Sequence, residues 1–206
     1  MMAGLRERKK EQTRRRIAET AMRLFAERGY DAVTVNEIAE AAGVAKVTLF
    51  AYFPSKECLA LDGVKDDTAA IVVGRGEGRS PLGALREHYR SMAGAREVDV
   101  EELLTRVRVI AANPALLAAV HQTHAGARHE LAAALAEAAG VPAGDVTAQL
   151  MAGQITAAIT TLQESFFQRL AAGVPLEEAG LLLARDVETA FDLLEYGFSS
   201  IKKEKS

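Results

Sequence analysis

Residues 43–56 read GVAKVTLFAYFPSK. Gly43 and Val44 open a tight turn. A short segment follows with Lys46 and Thr48 near its start, then Phe50, Tyr52 and Phe53, and Pro54 breaks it before Ser55 and Lys56. Upstream, Thr34 with Glu37 three residues on forms a capping box, which satisfies two backbone N–H groups at a helix start. Val35, Ile38, Ala39 and Ala42 give that helix its buried face, and Gly43 ends it, since glycine enters the left-handed region cheaply. Two short helices about a Gly-containing turn predict a helix-turn-helix. Its second helix, roughly 45–52, is small, cationic and poorly amphipathic, which suits a groove of DNA better than a core.

Outward from this motif the pattern stays helical. Ile17, Ala21, Leu24 and Phe25 recur at helical spacing over 9–29, closed by Gly29. Ser55 caps a helix expected over 55–73. GRGEGRS (74–80) is a flexible connection. Ser80-Pro81 opens a helix to about 96. Further helices are expected over 99–112, 115–139, 146–172 (capped by Asp145) and 175–198, before a solvated tail, KKEKS. No strand or repeat is evident. The expected fold is all-α, about nine helices, with a helix-turn-helix domain at 1–54 and a helical domain at 55–206.

The bulk numbers agree. The chain has 206 residues, 49% hydrophobic and 26% charged, enough for a packed core. Its net charge of −3 is unevenly spread: residues 1–56 carry +4, residues 57–206 carry −7, and residues 1–16 alone carry +5. A basic head on an acidic body suits a polyanionic partner at the head. The single cysteine, Cys58, fits a reducing compartment and reads as a small packing residue. The charged start lacks the apolar run of a signal peptide. Val146–Gln163 is an uncharged stretch of 18 residues, but its three Gln and four Thr read as a helix buried between protein surfaces, not a membrane span. A cytoplasmic protein is expected.

The stretch AMRLFAERGYDAVTVNEIAEAAGVAKVTLFAYFPSKECL (21–59) resembles the tetracycline-repressor (TetR) family of bacterial transcriptional regulators. It follows the family's succession LF-x-x-x-G-[YF], T-V-x-x-I-A-x-x-A-G-V and T-L-[YF]-x-[HY]-F-x-[SN]-K over about forty contiguous residues. The run IAANPALLAAV (110–120) resembles the actinobacterial mycofactocin-type branch. The resemblance implies an all-helical homodimer, a repressor released from a palindromic operator when a small-molecule effector binds the C-terminal domain. It implies DNA contacts from Thr34, Ala45, Lys46, Val47, Thr48, Phe50, Tyr52 and Lys56. Lys46 would donate to guanine, Val47 would meet a thymine methyl, and Thr48 would bond a base or a phosphate, while Leu49 and Phe53 would point back to the small core. Phe50 stands where the family often has Tyr, so no phosphate contact is expected from it, and Tyr52 is the better phosphate candidate. Ala45 replaces a common Ser or Thr cap. Lys56 matches a phosphate-anchoring Lys. Lys9, Lys10, Arg14, Arg15 and Arg16 would add sequence-independent attraction.

Small residues Ala152, Gly153, Thr156, Ala157, Thr160 and Thr161 permit close helix approach, so helices 146–172 and 175–198 are expected to pair with those of a second chain. Tyr89, Met92, Arg106, Ile110, His124, Met151, Gln154 and Ile155 are the candidate effector contacts. His121, His124 and His129 share one helix without a Cys or a second ligand cluster, so no metal is expected, nor any cofactor. An enzyme is not expected: there are no paired carboxylates, phosphate loop or Ser/His/Asp signature. The nearer alternative is a DNA-binding protein that senses no small molecule.

Overall fold

The structure, a computed structural model, describes residues 2–64, 66–93 and 99–197, with side chains from residue 7. The expected final turn of the helix to residue 96 and the tail beyond 197 lie outside them. Ten helices occur among the described residues, and no strand: α1 Met2–Arg28, α2 Val35–Ala41, α3 Lys46–Tyr52, α4 Lys56–Ala60, α5 Thr68–Val73, α6 Pro81–Ala93, α7 Val100–Ala111, α8 Pro114–Ala139, α9 Val146–Ala171 and α10 Leu176–Tyr196.

The all-α class is as expected. The count differs because the helix expected over 55–73 is two. α4 stops at Ala60, and in the turn beyond it Gly63 sits at φ +87°, a left-handed position where a Cβ would lie 2.6 Å from the Arg106 guanidinium. Asp66 then accepts from the Thr68 N–H at 3.1 Å and from the Thr68 hydroxyl, so α5 starts afresh. α1 also begins earlier than the sequence pattern suggests.

The helices pack as two compact units. The first comprises Met1–Val64 and Glu101–His121, so it reaches beyond the 1–54 segment. Its core joins Ile17, Ala21 and Phe25 of α1 to Ile38, Leu49, Phe53 and Leu59, with Val109 and Leu116 from further along the chain. Arg14 forms a two-pronged ion pair with Asp62, at 2.6 and 2.9 Å, and its guanidinium lies 4.7 Å from the Phe53 ring centroid. Asp62 holds the Arg14 pKa above its ordinary value. Arg14 is therefore structural, while Lys9, Lys10, Arg15 and Arg16 are exposed, Arg15 pairing with Glu19 one turn on at the surface.

The second unit comprises Lys65–Val100 and Gln122–Ser206. Leu85, Leu131, Leu135, Ala152, Ile155, Ile159, Val187 and Phe191 form its core. α6 and α10 approach so closely that a Cβ on Gly180 would lie 2.5 Å from the Ala93 carbonyl oxygen. Arg86 on α6 pairs with Glu188, Asp192 and Glu195 on α10 at 2.9–3.2 Å.

One burial expectation changes. Cys58 is exposed and accepts from the Ser55 hydroxyl at 3.2 Å, so it is not a packing residue. It lies in the first turn of α4, whose apolar face is carried by Leu59 and Ala60. α9, uncharged over residues 146–163, buries one face through Ala148, Ala152, Ile155, Ile159 and Leu162. Its other face stays open within this chain, with Val146 67% and Leu150 62% exposed. No single helix among the described residues is long and apolar enough to cross a membrane.

Candidate nucleic-acid interface

The capping box sets the entry to α2. The Thr34 hydroxyl accepts the Glu37 N–H at 3.3 Å and donates to the Glu37 carboxylate at 2.7 Å, while the Thr34 N–H donates to that carboxylate at 2.8 Å. Arg28, at the end of α1, closes on Glu37 at 2.7 Å. Hydrogen bonds from Thr34, first from its hydroxyl, and the Arg28 charge pull the Glu37 pKa down from 4.5 to about 2. The Thr34 hydroxyl is thus engaged in both directions.

Gly43, at φ +64°, turns the chain between α2 and α3. Its N–H reaches the Glu40 carbonyl at 3.0 Å, and the Val44 N–H reaches that of Ala39 at 2.9 Å. α3 starts at Ala45 without a side-chain cap. Its orientation is fixed by packing: Leu49 and Phe53 are fully buried in the core of the first unit, as expected. That burial turns Lys46, Val47, Phe50 and Ala51 outward, with Val47 79% and Phe50 40% exposed. Thr48 is half-buried. The Lys46 ammonium lies 5.9 Å from the Phe50 ring centroid, one turn along.

Lys56 points inward. Its ammonium donates to the Val33 carbonyl at 2.8 Å and lies 4.2 Å from the centroid of Tyr30. Burial raises the Tyr30 phenol pKa, so the ring stays neutral beneath the cation. Tyr52 is half-buried against the same core. A cationic helix on a capped, packed platform can enter a major groove and meet base edges.

Residues 17–62 match the family described as "Bacterial regulatory proteins, tetR family", and residues 79–199 match the MftR C-terminal domain of such regulators. The chain belongs to the tetR family. It is a DNA-binding transcriptional regulator, not an enzyme. The HTH-type transcriptional regulator TcmR of Streptomyces glaucescens is 34% identical over 124 residues, 56% of this chain and 55% of TcmR, so the chain spans about half that relative's length. A Mycobacterium tuberculosis protein named as a regulator of mycofactocin biosynthesis, MftR, is 26% identical over 95% of this chain and 96% of its own. Among solved structures, NalD of Pseudomonas aeruginosa shares the fold, with TM-score 0.60, 17% identity, and coverage of 91% of this chain and 96% of NalD. Its structure is titled the secondary repressor of the MexAB-OprM multidrug efflux pump.

The eight candidate effector contacts of this TetR-family chain divide between the units. Arg106 and Ile110 lie in the first, where Arg106 bonds Glu102 at 3.0 Å and Ile110 packs against the core. Tyr89, Met92, His124, Met151, Gln154 and Ile155 lie in the second. There Tyr89 is within 3.4 Å of the Thr68 hydroxyl, and burial raises its pKa. Ile155 is core, while Met92, Met151 and Gln154 are exposed. An open cleft of about 490 Å³ in that unit, lined by residues including Arg128, His129, Asp145 and Leu150, contains none of the eight.

Two contributors to the interface's platform were missed in the sequence. Arg28 clamps the capping box. Asn113 accepts from the Ala115 and Leu116 N–H groups at 3.1 Å, starting α8, and donates to Asp31 at 3.0 Å. The Asn113-Pro114 pair carries a cap signal, Asn before Pro at the first helical position.

Proposed function

We propose that the chain is a dimeric repressor in the cytoplasm that binds a palindromic operator through α3 and is released by a small-molecule effector bound in the C-terminal domain. The observation that carries this reading is the outward presentation of Lys46 and Val47 on α3 while Leu49 and Phe53 lock the helix from behind. DNA contacts come from the segment Ala45–Thr48 with Phe50 and Tyr52, supported by Thr34 and Lys56. One chain offers one such helix. Two must stand about 34 Å apart to meet successive major grooves. The open face of α9, together with α10, supplies the pairing surface, and Val146 and Leu150 are exposed apolar side chains on it. The effector contacts are drawn from Tyr89, Met92, Arg106, Ile110, His124, Met151, Gln154 and Ile155. Effector binding shifts the population toward dimers whose recognition helices no longer match the operator.

The test is fluorescence anisotropy on DNA from upstream of the chain's own gene, against a scrambled duplex at one fixed salt concentration. The expected result is tight binding to the first at two protomers per site. Equal, weak and strongly salt-dependent binding to both duplexes counts against an operator there. A monomer in sedimentation equilibrium at micromolar concentration would remove the dimer.

A further inference from the structure

At about 100° per residue, Lys46, Phe50, Val47 and Ala51 follow one another around α3 within an arc of about 140°. These are the four exposed residues of the helix; Leu49 is buried, and Thr48 and Tyr52 are half-buried at the far side. The outward arc therefore holds one hydrogen-bonding group, the Lys46 ammonium, and three apolar side chains. Two of the three are large, with Val47 79% and Phe50 40% exposed.

An apolar side chain pressed against the donors and acceptors of a base edge strips water from them and returns no partner, which is unfavourable. The major groove offers one apolar feature, the thymine 5-methyl group. The Phe50 ring lies under the Lys46 ammonium, so cation and ring reach neighbouring base steps together. Thr48, half-buried, lies outside the arc, where its hydroxyl suits a phosphate better than a base edge. A helix with one donor discriminates by methyl contact more than by hydrogen bonding.

We propose that Val47 and Phe50 determine specificity by reading thymine 5-methyl groups, beside a guanine held by Lys46. This rests on the DNA-reading function of α3 proposed above. The preferred site then has thymine on the steps flanking that guanine. Its affinity depends on a methyl group that takes no part in base pairing.

The experiment begins with the full chain and a pool of randomised duplexes, from which bound sequences are selected. Deoxyuridine then replaces thymidine one position at a time in the selected duplex, read by anisotropy at fixed salt. The expected result is binding about fourfold weaker per methyl removed at the steps facing α3, and near-neutral effects elsewhere. Val47→Ala and Phe50→Ala should each erase the penalty at one step and leave the other, while Phe50→Leu should retain it. A 5-methylcytosine·guanine pair at such a step should bind more tightly than an unmethylated one. A selected site without thymine beside the guanine, or uracil tolerated at every position, overturns the proposal while leaving α3 a DNA reader. A pool that yields no enriched sequence overturns both.

Discussion

The Asn113 side-chain amide donates to Asp31 at 3.0 Å while its oxygen accepts from the N–H groups of Ala115 and Leu116. One buried side chain thereby starts α8 and ties it to the loop that follows α1, within the unit that holds the helix-turn-helix. A residue used at both ends has no small substitute.

Asn113→Ala removes the cap and leaves Asp31 without this donor. The expected loss is about 2 kcal/mol in the unfolding free energy, from one helix cap and one hydrogen bond to a carboxylate. Asn113→Asp keeps a capping oxygen but sets a second carboxylate beside Asp31. Urea unfolding of both variants separates the functions. If the cap dominates, Asp recovers most of the stability; if the Asp31 bond dominates, Asp is no better than Ala.

Gly63→Ala tests the break between α4 and α5. The left-handed backbone at φ +87° costs a non-glycine residue about 1–2 kcal/mol, and the new Cβ must also displace the Arg106 guanidinium. Arg106→Ala should relieve the second part and none of the first. Thermal unfolding of the two single variants and the double variant gives the coupling directly. Strict additivity would mean that Arg106 moves aside without cost.

Glu37 gives the helix-turn-helix a defined acid limit. Its folded pKa is depressed to about 2 by Thr34 and Arg28, below its unfolded value of 4.5. The unfolded chain therefore takes up the proton first as pH falls. The contribution of the ionised box is complete above about pH 4.5 and is lost progressively between there and about 2. A carboxyl-carbon NMR titration of Glu37 should show its midpoint near the lower value, and in Arg28→Gln that midpoint should rise. An ordinary glutamate midpoint in the wild-type chain would mean that the box is open in solution.

The capping box, the Gly43 turn and the buried Leu49 and Phe53 were legible because each rests on contacts close in sequence. A side chain three residues away, a left-handed glycine and a helical period are all written locally. The unread features join distant positions. Gly63 against Arg106 spans 43 residues, Asp31 to Asn113 spans 82, and Arg14 to Asp62 spans 48. No periodicity signals such a partner, so Arg14 read as a free cation. Lys56 failed to look inward for the same reason, since its partners Val33 and Tyr30 lie more than twenty residues upstream. The effector contacts were the least legible, because cavity walls and core walls use the same apolar residues.

Lys46 and Lys56 should separate cleanly on substitution, although both are lysines of the same motif. Lys46 is exposed, so Lys46→Ala should leave the unfolding free energy within about 0.5 kcal/mol of wild type. It should weaken the preferred DNA site by about 1–3 kcal/mol and relax the selected base at one position per half-site. Lys56 holds the Val33 carbonyl and stacks on Tyr30, so Lys56→Ala should lower stability as well as binding. An ammonium carries three donors, and the Val33 bond uses one. If another reaches a phosphate, Lys56→Ala also reduces the slope of log affinity against log salt by about one, equally on specific and scrambled duplexes. An unchanged slope with reduced stability would make Lys56 a purely structural lysine, whose work is to hold the chain at Val33 against α4.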